Sequence, residues 1–171
     1  MKIAIVFDSN TGNTKKIATC IKEACANEDI IYFGSPTNIE SVDLVFIGTW
    51  VDKGTCSKKI KNFINSLSKQ KIAFFATAGF GQSNEYFENL ANRLNALVNP
   101  SNQIIGYFFC QGKMPLTIRS RYVEMIKEHP DDKQLQISID NFDAALSHPD
   151  INDLNKAKEF ALDMIYNVSL K

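Results

Sequence analysis

The sequence of 171 residues has no long apolar run, no Cys-x-x-Cys pair and no excess of charge of either sign. A membrane-spanning helix needs about 18 or more successive apolar residues, so none is expected. The first apolar run, Ile3 to Phe7, is short and is followed at once by Asp8. That pattern is not a secretory signal, and we expect a cytoplasmic protein. With 19 basic and 19 acidic residues, nucleic acid is not an expected partner.

The sequence also lacks the spacing of a metal site or a disulfide framework. None of the four cysteines lies near another in a paired motif, and neither histidine is close to them. Cys20 and Cys25 fall on the apolar side of the first predicted helix, where thiols act as small apolar groups. The length and the hydrophobic share of 44% predict a single domain over residues 1–171 with a full core.

What the sequence does contain is a strand, a polar loop and a helix in direct succession. Ile3 to Phe7 is continuously apolar, and from Ile17 onward apolar residues recur at helical spacing. The first amides of a helix lack intrahelical partners and carry partial positive charge, so they suit a phosphate. We call the six residues before and at this helix start the phosphate loop: Ser9, Asn10, Thr11, Gly12, Asn13 and Thr14.

The phosphate loop also indicates the kind of phosphate. No Lys or Arg lies between Lys2 and Lys15, and the glycine patterns of nucleoside triphosphatases and dinucleotide sites are absent. Neutral donors favour a terminal phosphate that is held and not transferred, such as that of flavin mononucleotide (FMN). The alternative is that these residues only cap the helix.

Further strands and helices alternate along the chain, which predicts a parallel sheet with helices on both faces. Ligands of such sheets lie at the carboxyl ends of the strands. The predicted strands are 3–7, 30–33, 44–47, 72–76 and 104–110, and the predicted helices are 57–67, 86–97 and one from near Pro149 to Val168. A loop or short turn at 37–41 joins the second strand to the third.

Two loops at these carboxyl ends are candidates for contact with a flavin ring. Trp50, the only tryptophan, follows the third strand and is able to stack on a flat ring, although a single tryptophan more often caps a core. Phe80 stands between two glycines after the fourth strand, and Ser83 is also a candidate cap for the next helix. The candidate residues are Thr49, Trp50, Val51, Asp52, Lys53 and Gly54 in one loop, and Thr77, Ala78, Gly79, Phe80 and Gly81 in the other.

With these loops the chain resembles a flavodoxin. Ser-x-Thr-Gly-x-Thr at 9–14 matches the flavodoxin phosphate loop, and Trp50 and the loop at 77–83 stand where that family contacts its ring. The resemblance covers residues 1–112 and the last helix. It implies an α/β flavodoxin-like fold, a doubly wound five-stranded parallel sheet of order 2-1-3-4-5 with helices on both faces. The run at 48–56, together with residues 110–113 after the fifth strand, is similar to a divergent flavodoxin-like subfamily, some members of which accompany bilirubin-reducing enzymes.

The resemblance implies bound FMN, no metal, and electron transfer to a redox partner protein by a monomer. It also implies that a backbone carbonyl within residues 51–54 accepts a hydrogen bond from N5–H of the reduced ring. The chain departs from the flavodoxins that only carry electrons, because those are strongly acidic and this chain is neutral, with Lys53, Lys58, Lys59 and Lys113 in its ligand loops.

Residues 113–149 are an insertion or extended segment that the small flavodoxins lack in this form. The segment contains basic residues, a helical stretch near 122–127 and both histidines, His129 and His148. It is either a docking or substrate-binding element over the flavin edge or a plain surface insertion.

Three other functions remain open at this point. The chain is either the proposed electron carrier or an NAD(P)H-dependent FMN-containing reductase of a quinone, flavin or tetrapyrrole. A phospho-receiver domain shares the five-stranded topology, but Gly48 and Thr49 stand where its phosphoacceptor aspartate belongs. A scaffold that has lost its cofactor is disfavoured by the intact phosphate loop.

Overall fold

The computed structural model describes residues 1–81 and 83–170. Gln82, inside the predicted 77–83 loop, and Lys171, the end of the predicted domain, lie outside the described residues. The elements in chain order are β1 Lys2–Phe7, α1 Asn13–Ala24, β2 Asp29–Gly34, β3 Leu44–Asp52, β4 Thr55–Cys56, α2 Lys58–Ser66, β5 Lys71–Ala78, α3 Asn84–Asn95, β6 Gln103–Gln111, α4 Leu116–Glu128, α5 Lys133–Ala145 and α6 Ile151–Ser169.

Five parallel strands form the sheet in the order β2-β1-β3-β5-β6. One further, two-residue strand, β4, pairs only with β3 and runs antiparallel to it. Since β5 and β6 are the fourth and fifth strands predicted from the sequence, the order 2-1-3-4-5 is confirmed. The central strands are apolar throughout because both of their faces are buried, as the complete burial of Ile3–Val6 and Leu44–Ile47 shows.

Helices cover the sheet on both faces, as predicted. One face packs on α1 and α6 through residues such as Ile17, Ile21 and Ala161, and the other packs on α2 and α3 through Ile60 and Leu90. Cys20 and Cys25 are both buried, and Cys25 belongs to the first of these cores. Burial raises the pKa of the Cys25 thiol to about 12, so it behaves as an apolar group.

The structure differs from the sequence-based expectation in three places. The two-residue strand β4 was not predicted, because two residues are too few to show a strand pattern. Residues 113–149 contain two helices, α4 and α5, where only 122–127 was predicted to be helical. Strand β3 continues to Asp52, so Thr49, Trp50, Val51 and Asp52 belong to this strand and not to the loop that was predicted there. The last helix begins at Ile151, near Pro149 as predicted, and the side chain of Asp150 caps it. None of the helices in the described part of the chain combines the length and apolarity that crossing a membrane requires.

Candidate functional site

Three loops meet at one edge of the sheet, the edge formed by the carboxyl ends of the parallel strands. The loops follow β1, β3 and β5, which are neighbours in the sheet. The Asp8 amide donates to the Gly48 carbonyl at 3.0 Å, and the hydroxyls of Thr14 and Thr77 share a buried hydrogen bond of 2.9 Å. All three stretches predicted to hold a ligand are therefore joined at this edge, which we call the carboxyl edge.

The phosphate loop leaves the start of α1 open. Gly12 is the N-cap residue in a left-handed conformation (φ 89°), and as a glycine it has no side chain with which to cap the helix. The Lys16 amide donates to the Gly12 carbonyl and the Lys15 amide to Ser9 Oγ. The amides of Asn13 and Thr14 have no hydrogen-bond partner among the described residues. Ser9 therefore accepts from one of the first amides of the helix, and two other amides are left without a partner among the described residues.

The side chains of the phosphate loop fall into two groups. Asn13 and Thr14 are buried: Asn13 Nδ2 donates to Thr11 Oγ1 at 3.0 Å and to the Lys113 carbonyl at 2.9 Å, and the Thr14 hydroxyl bonds to that of Thr77. Ser9 is half-buried, and Asn10 and Thr11 are exposed. The inner pair fixes the loop to the end of β5 and to the segment after β6, and the outer residues remain accessible together with the helix amides.

Trp50 is held from the side by an acidic residue at the end of β1. Its Nε1–H donates to Asp8 Oδ2 at 3.1 Å, and Lys59 Nζ lies 3.4 Å from Asp8 Oδ1. Burial by itself would raise the pKa of the Asp8 carboxyl, but hydrogen bonds from Ser57, Trp50 and Lys59 lower it overall. The indole is half-buried, so part of the ring remains accessible at the carboxyl edge.

Residues 51–56 form a hairpin that extends the end of β3. Val51 pairs with Cys56 and Asp52 with Thr55, and the turn between them is Lys53-Gly54. Both turn residues have positive φ (49° and 78°), which is the two-residue turn that matches the twist of a hairpin. Arg93 of α3 donates to the Gly54 carbonyl at 3.0 Å. Below the hairpin, buried Thr49 accepts from the Ser57 amide and so joins β3 to the start of α2.

The loop after β5 is fixed from the side of residues 113–149. Thr77 and Ala78 are buried at the strand end, and the Gly79 carbonyl accepts from Asn141 Nδ2 of α5 at 2.8 Å. A Cβ at Gly79 would lie 2.4 Å from Met114 Sδ, and one at Gly81 would lie 2.7 Å from the Phe87 ring. A side chain at either glycine would therefore displace a neighbouring side chain, and Phe80 stands half-buried between the two glycines.

Sequence reasoning did not predict the contacts of four residues that shape this site. Asp8 and Lys59 hold Trp50, Arg93 holds the Gly54 carbonyl and Asn141 holds the Gly79 carbonyl. Asp8 directly precedes the phosphate loop, and its position was a usable signal. The other three contacts join residues that are 39 to 62 positions apart, and no local pattern marks them. The Ser83 cap of α3, in contrast, is present as predicted.

The strand order and the loops at the carboxyl edge define a flavodoxin-like α/β fold. A family model described as "Flavodoxin domain" matches residues 4–162, so the chain belongs to the flavodoxin domain family. The chain is therefore assigned to this family and not to the phospho-receiver domains.

Individual relatives agree with this family. The flavodoxin-like domain-containing protein BilS of Clostridioides difficile (strain CD3) is 33% identical over 177 residues, covering 99% of both chains. The structure of oxidised flavodoxin 2 from Bacillus cereus superposes with a TM-score of 0.56 at 16% identity, covering 98% of this chain and 99% of that one. The structure of a flavoprotein in complex with FMN from Lactobacillus acidophilus NCFM superposes with a TM-score of 0.50 at 18% identity. The superposition covers 63% of this chain and 92% of that one. These two structures support the fold alone.

Proposed function

We propose that this protein binds FMN at the carboxyl edge and supplies electrons to a partner reductase. The observation that carries the proposal is the open start of α1. The amides of Asn13 and Thr14 point to no partner among the described residues, while Ser9, Asn10 and Thr11 supply uncharged donors beside them. A phosphate group satisfies these amides and is favoured by the helix dipole.

The phosphate loop fits a terminal phosphate in its shape as well as its chemistry. Gly12 has open space where a Cβ would stand, with no atom within 4 Å, so an anion is able to approach the backbone there. The buried bonds of Asn13 and Thr14 hold the loop in place before any ligand arrives. We assign phosphate binding to Ser9, Asn10 and Thr11 and to the amides of residues 12–14.

The two other loops fit a flat aromatic ring. Trp50 presents a half-buried indole whose position is fixed by Asp8, and the 51–54 turn offers backbone carbonyls next to it. Residues 77–81 bring backbone and the half-buried Phe80 to the same edge. Bound FMN would supply the redox chemistry, since its ring accepts and releases one or two electrons. The protein's part is to hold and orient the ring and to exclude water from it.

The test is a titration of the flavin-free protein with FMN and, separately, with riboflavin. Trp50 is the only tryptophan, so its fluorescence reports on the predicted ring contact without interference. We expect saturable quenching by FMN and binding that is on the order of 100-fold weaker for riboflavin, which lacks the phosphate. Equal affinities would remove the phosphate loop from the site, and an absence of binding by FMN would refute the proposal.

A second measurement separates the carrier from a stand-alone reductase. The FMN-loaded protein is mixed anaerobically with NADPH and then with NADH, and flavin absorbance is followed. A carrier is not reduced by either nucleotide on the timescale of turnover, whereas direct bleaching of the flavin would favour the NAD(P)H-dependent enzyme.

A further inference from the structure

Two buried amide side chains, those of Gln111 and Asn141, lie behind the loop that follows β5. Gln111 ends β6 and is 9% exposed, and Asn141 belongs to α5 and is 4% exposed. Gln111 Nε2 donates to Asn141 Oδ1 at 3.2 Å, and Asn141 Nδ2 donates to the Gly79 carbonyl at 2.8 Å. A buried amide lowers stability unless its polar atoms are hydrogen-bonded, so this pair depends on the loop that it contacts.

Ser138, one turn before Asn141 on the buried face of α5, makes a different kind of contact. It is 8% exposed, and its hydroxyl donates to the Gln134 carbonyl of its own helix at 2.8 Å. Asn141 instead uses both ends of its amide on groups outside α5. The Asn141 side chain therefore joins the helix to the loop after β5 and to β6, whereas Ser138 serves the helix alone.

The hydrogen bond from Asn141 orients one peptide group, the one that joins Gly79 to Phe80. This peptide is trans, so its carbonyl and its N–H point in opposite directions. Because the Gly79 carbonyl is directed at Asn141, the Phe80 N–H is directed away from α5. Within residues 1–81 and 83–170 that N–H has no hydrogen-bond partner. Asn141 thus sets the direction of a backbone donor in a loop that is predicted to face the flavin ring.

The loop is also packed closely from behind. A Cβ at Gly79 would lie 2.4 Å from Met114 Sδ, and one at Gly81 would lie 2.9 Å from Gln111 Cγ. Every residue of α4 is half-buried or exposed, so α5 is the helix of the 113–149 segment that supplies a buried contact to the loop.

From these contacts we infer that Asn141 is a positioning residue for the flavin ring, with Gln111 orienting its amide. The inference rests on the proposed function, in which the ring lies against residues 77–81. The Phe80 N–H donates to a carbonyl oxygen of the bound ring, and Asn141 keeps the peptide turned for that bond. The 113–149 segment is then neither a plain surface insertion nor a docking element, because its helix α5 supports the ring-facing loop.

The first test compares FMN and riboflavin binding to flavin-free Asn141→Leu by Trp50 fluorescence. Leu is similar in size to Asn but has no donor for the Gly79 carbonyl. Both ligands share the ring, so we expect both affinities to fall by the same factor, about tenfold. Ser138→Ala is the matched control, since it removes a buried polar group from the same helix face, and it should bind both ligands as the parent does.

Three results of this titration would overturn the inference. They are unchanged affinities in Asn141→Leu, a loss for FMN alone, and equal losses in Asn141→Leu and Ser138→Ala. Failure of the parent protein to bind FMN refutes the proposed function instead. A parent that binds FMN, with an Asn141→Leu variant that binds it equally well, refutes only the positioning role.

The midpoint potential of bound FMN separates positioning from a merely structural role. Reduction adds electron density to the ring, so a hydrogen bond donated to a ring carbonyl favours the reduced form over the oxidised form. Asn141→Leu should therefore weaken reduced FMN more than oxidised FMN and make the potential more negative, whereas Ser138→Ala should leave it unchanged. A structural role of Asn141 would weaken both forms equally, and an unchanged potential would overturn the inference.

A third measurement needs no flavin. In the ¹³C,¹⁵N-labelled flavin-free protein, Asn141→Leu should shift the Gly79 carbonyl and Phe80 amide resonances, and Ser138→Ala should leave both in place. If Asn141→Leu does not fold, Gln111→Met replaces it, because it removes only the bond to Asn141 Oδ1. We expect the same directions with a smaller loss of FMN affinity, about threefold. Resonances of Gly79 and Phe80 that stay in place would contradict the positioning role.

Discussion

The N-termini of α1 and α6 have the same position in the fold and opposite chemistry. Both helices pack on one face of the sheet and begin at the carboxyl edge. The start of α6 is closed, since Asp150 Oδ1 accepts from the amides of Asn152 and Asp153 while Asp153 accepts from the Asp150 amide. The start of α1 has glycine at the N-cap and no side-chain cap. Where a side chain accepts from the first amides of a helix, those amides do not bind an anion. Where the amides lack such a partner, they are available for a ligand.

Closing α1 should have the largest effect. Gly12→Asp places a carboxylate beside the predicted phosphate position, and we expect FMN binding to weaken about 100-fold through charge repulsion. Gly12→Asn is the matched control, because Asn also tolerates positive φ but has no charge. The two affinities are compared by Trp50 fluorescence titration. Equal losses of FMN affinity in both variants would mean that the added side chain, and not its charge, disturbs the site.

Removing the cap of α6 should lower the stability of the fold and leave FMN binding unchanged. Asp150→Ala removes the acceptor for two helix amides, and we expect the melting temperature to fall by roughly 2–6 °C. FMN affinity should be unchanged, because this cap belongs to the closed helix. Asp163→Ala, an exposed acid further along α6, is the control and should leave the melting temperature within about 1 °C. A loss of FMN affinity in Asp150→Ala would contradict the distinction between the two helix starts.

The hydrogen bond that links the two helix starts is expected to stabilise the fold by a smaller amount than the α6 cap. Lys16 Nζ of α1 donates to the Pro149 carbonyl, just before the α6 cap, at 2.7 Å. Lys16→Met keeps most of the aliphatic side chain and removes this bond, which should cost about 1 kcal/mol in the free energy of unfolding by urea. The exposed Lys156→Met on α6 serves as the comparison. An unchanged free energy for Lys16→Met would mean that the two helix starts are energetically independent.

The pH dependence of the α6 cap should be the smallest effect. Hydrogen bonds from the backbone amides, that of Asp153 above all, hold the pKa of Asp150 below its ordinary value. A lowered folded-state pKa means that the stabilisation is present above the unfolded pKa of about 3.9 and is lost as the pH falls through the folded value. The gap in melting temperature between the parent and Asp150→Ala should therefore narrow as the pH falls below about 4. A gap that widens below that pH would contradict this assignment.

Local patterns allowed much of the fold to be predicted. Each central strand is buried on both faces, so its sequence is an apolar run, and the polar loop after the first run is visible for the same reason. Strand β4 was missed because two residues carry no pattern. Helix α5 was missed because its buried face includes polar Ser138 and Asn141, which weaken the apolar periodicity.

The candidate site likewise has one part that local sequence predicts and another part that it does not. The phosphate loop is one continuous stretch, and its chemistry is readable without a fold. The contacts that hold the ring-facing loops, Asn141 on the Gly79 carbonyl and Arg93 on the Gly54 carbonyl, join elements that are distant in sequence. Their partners are backbone carbonyls, which every residue has, so the sequence carries no mark of them.

The strands, their parallel arrangement and a loop suited to phosphate follow from local sequence, because apolar runs and helix-start chemistry are local properties. The contacts of Asn141 with the Gly79 carbonyl and of Arg93 with the Gly54 carbonyl arise only in the folded chain. They depend on which elements pack beside one another, and that is set by the whole chain and not by any single segment.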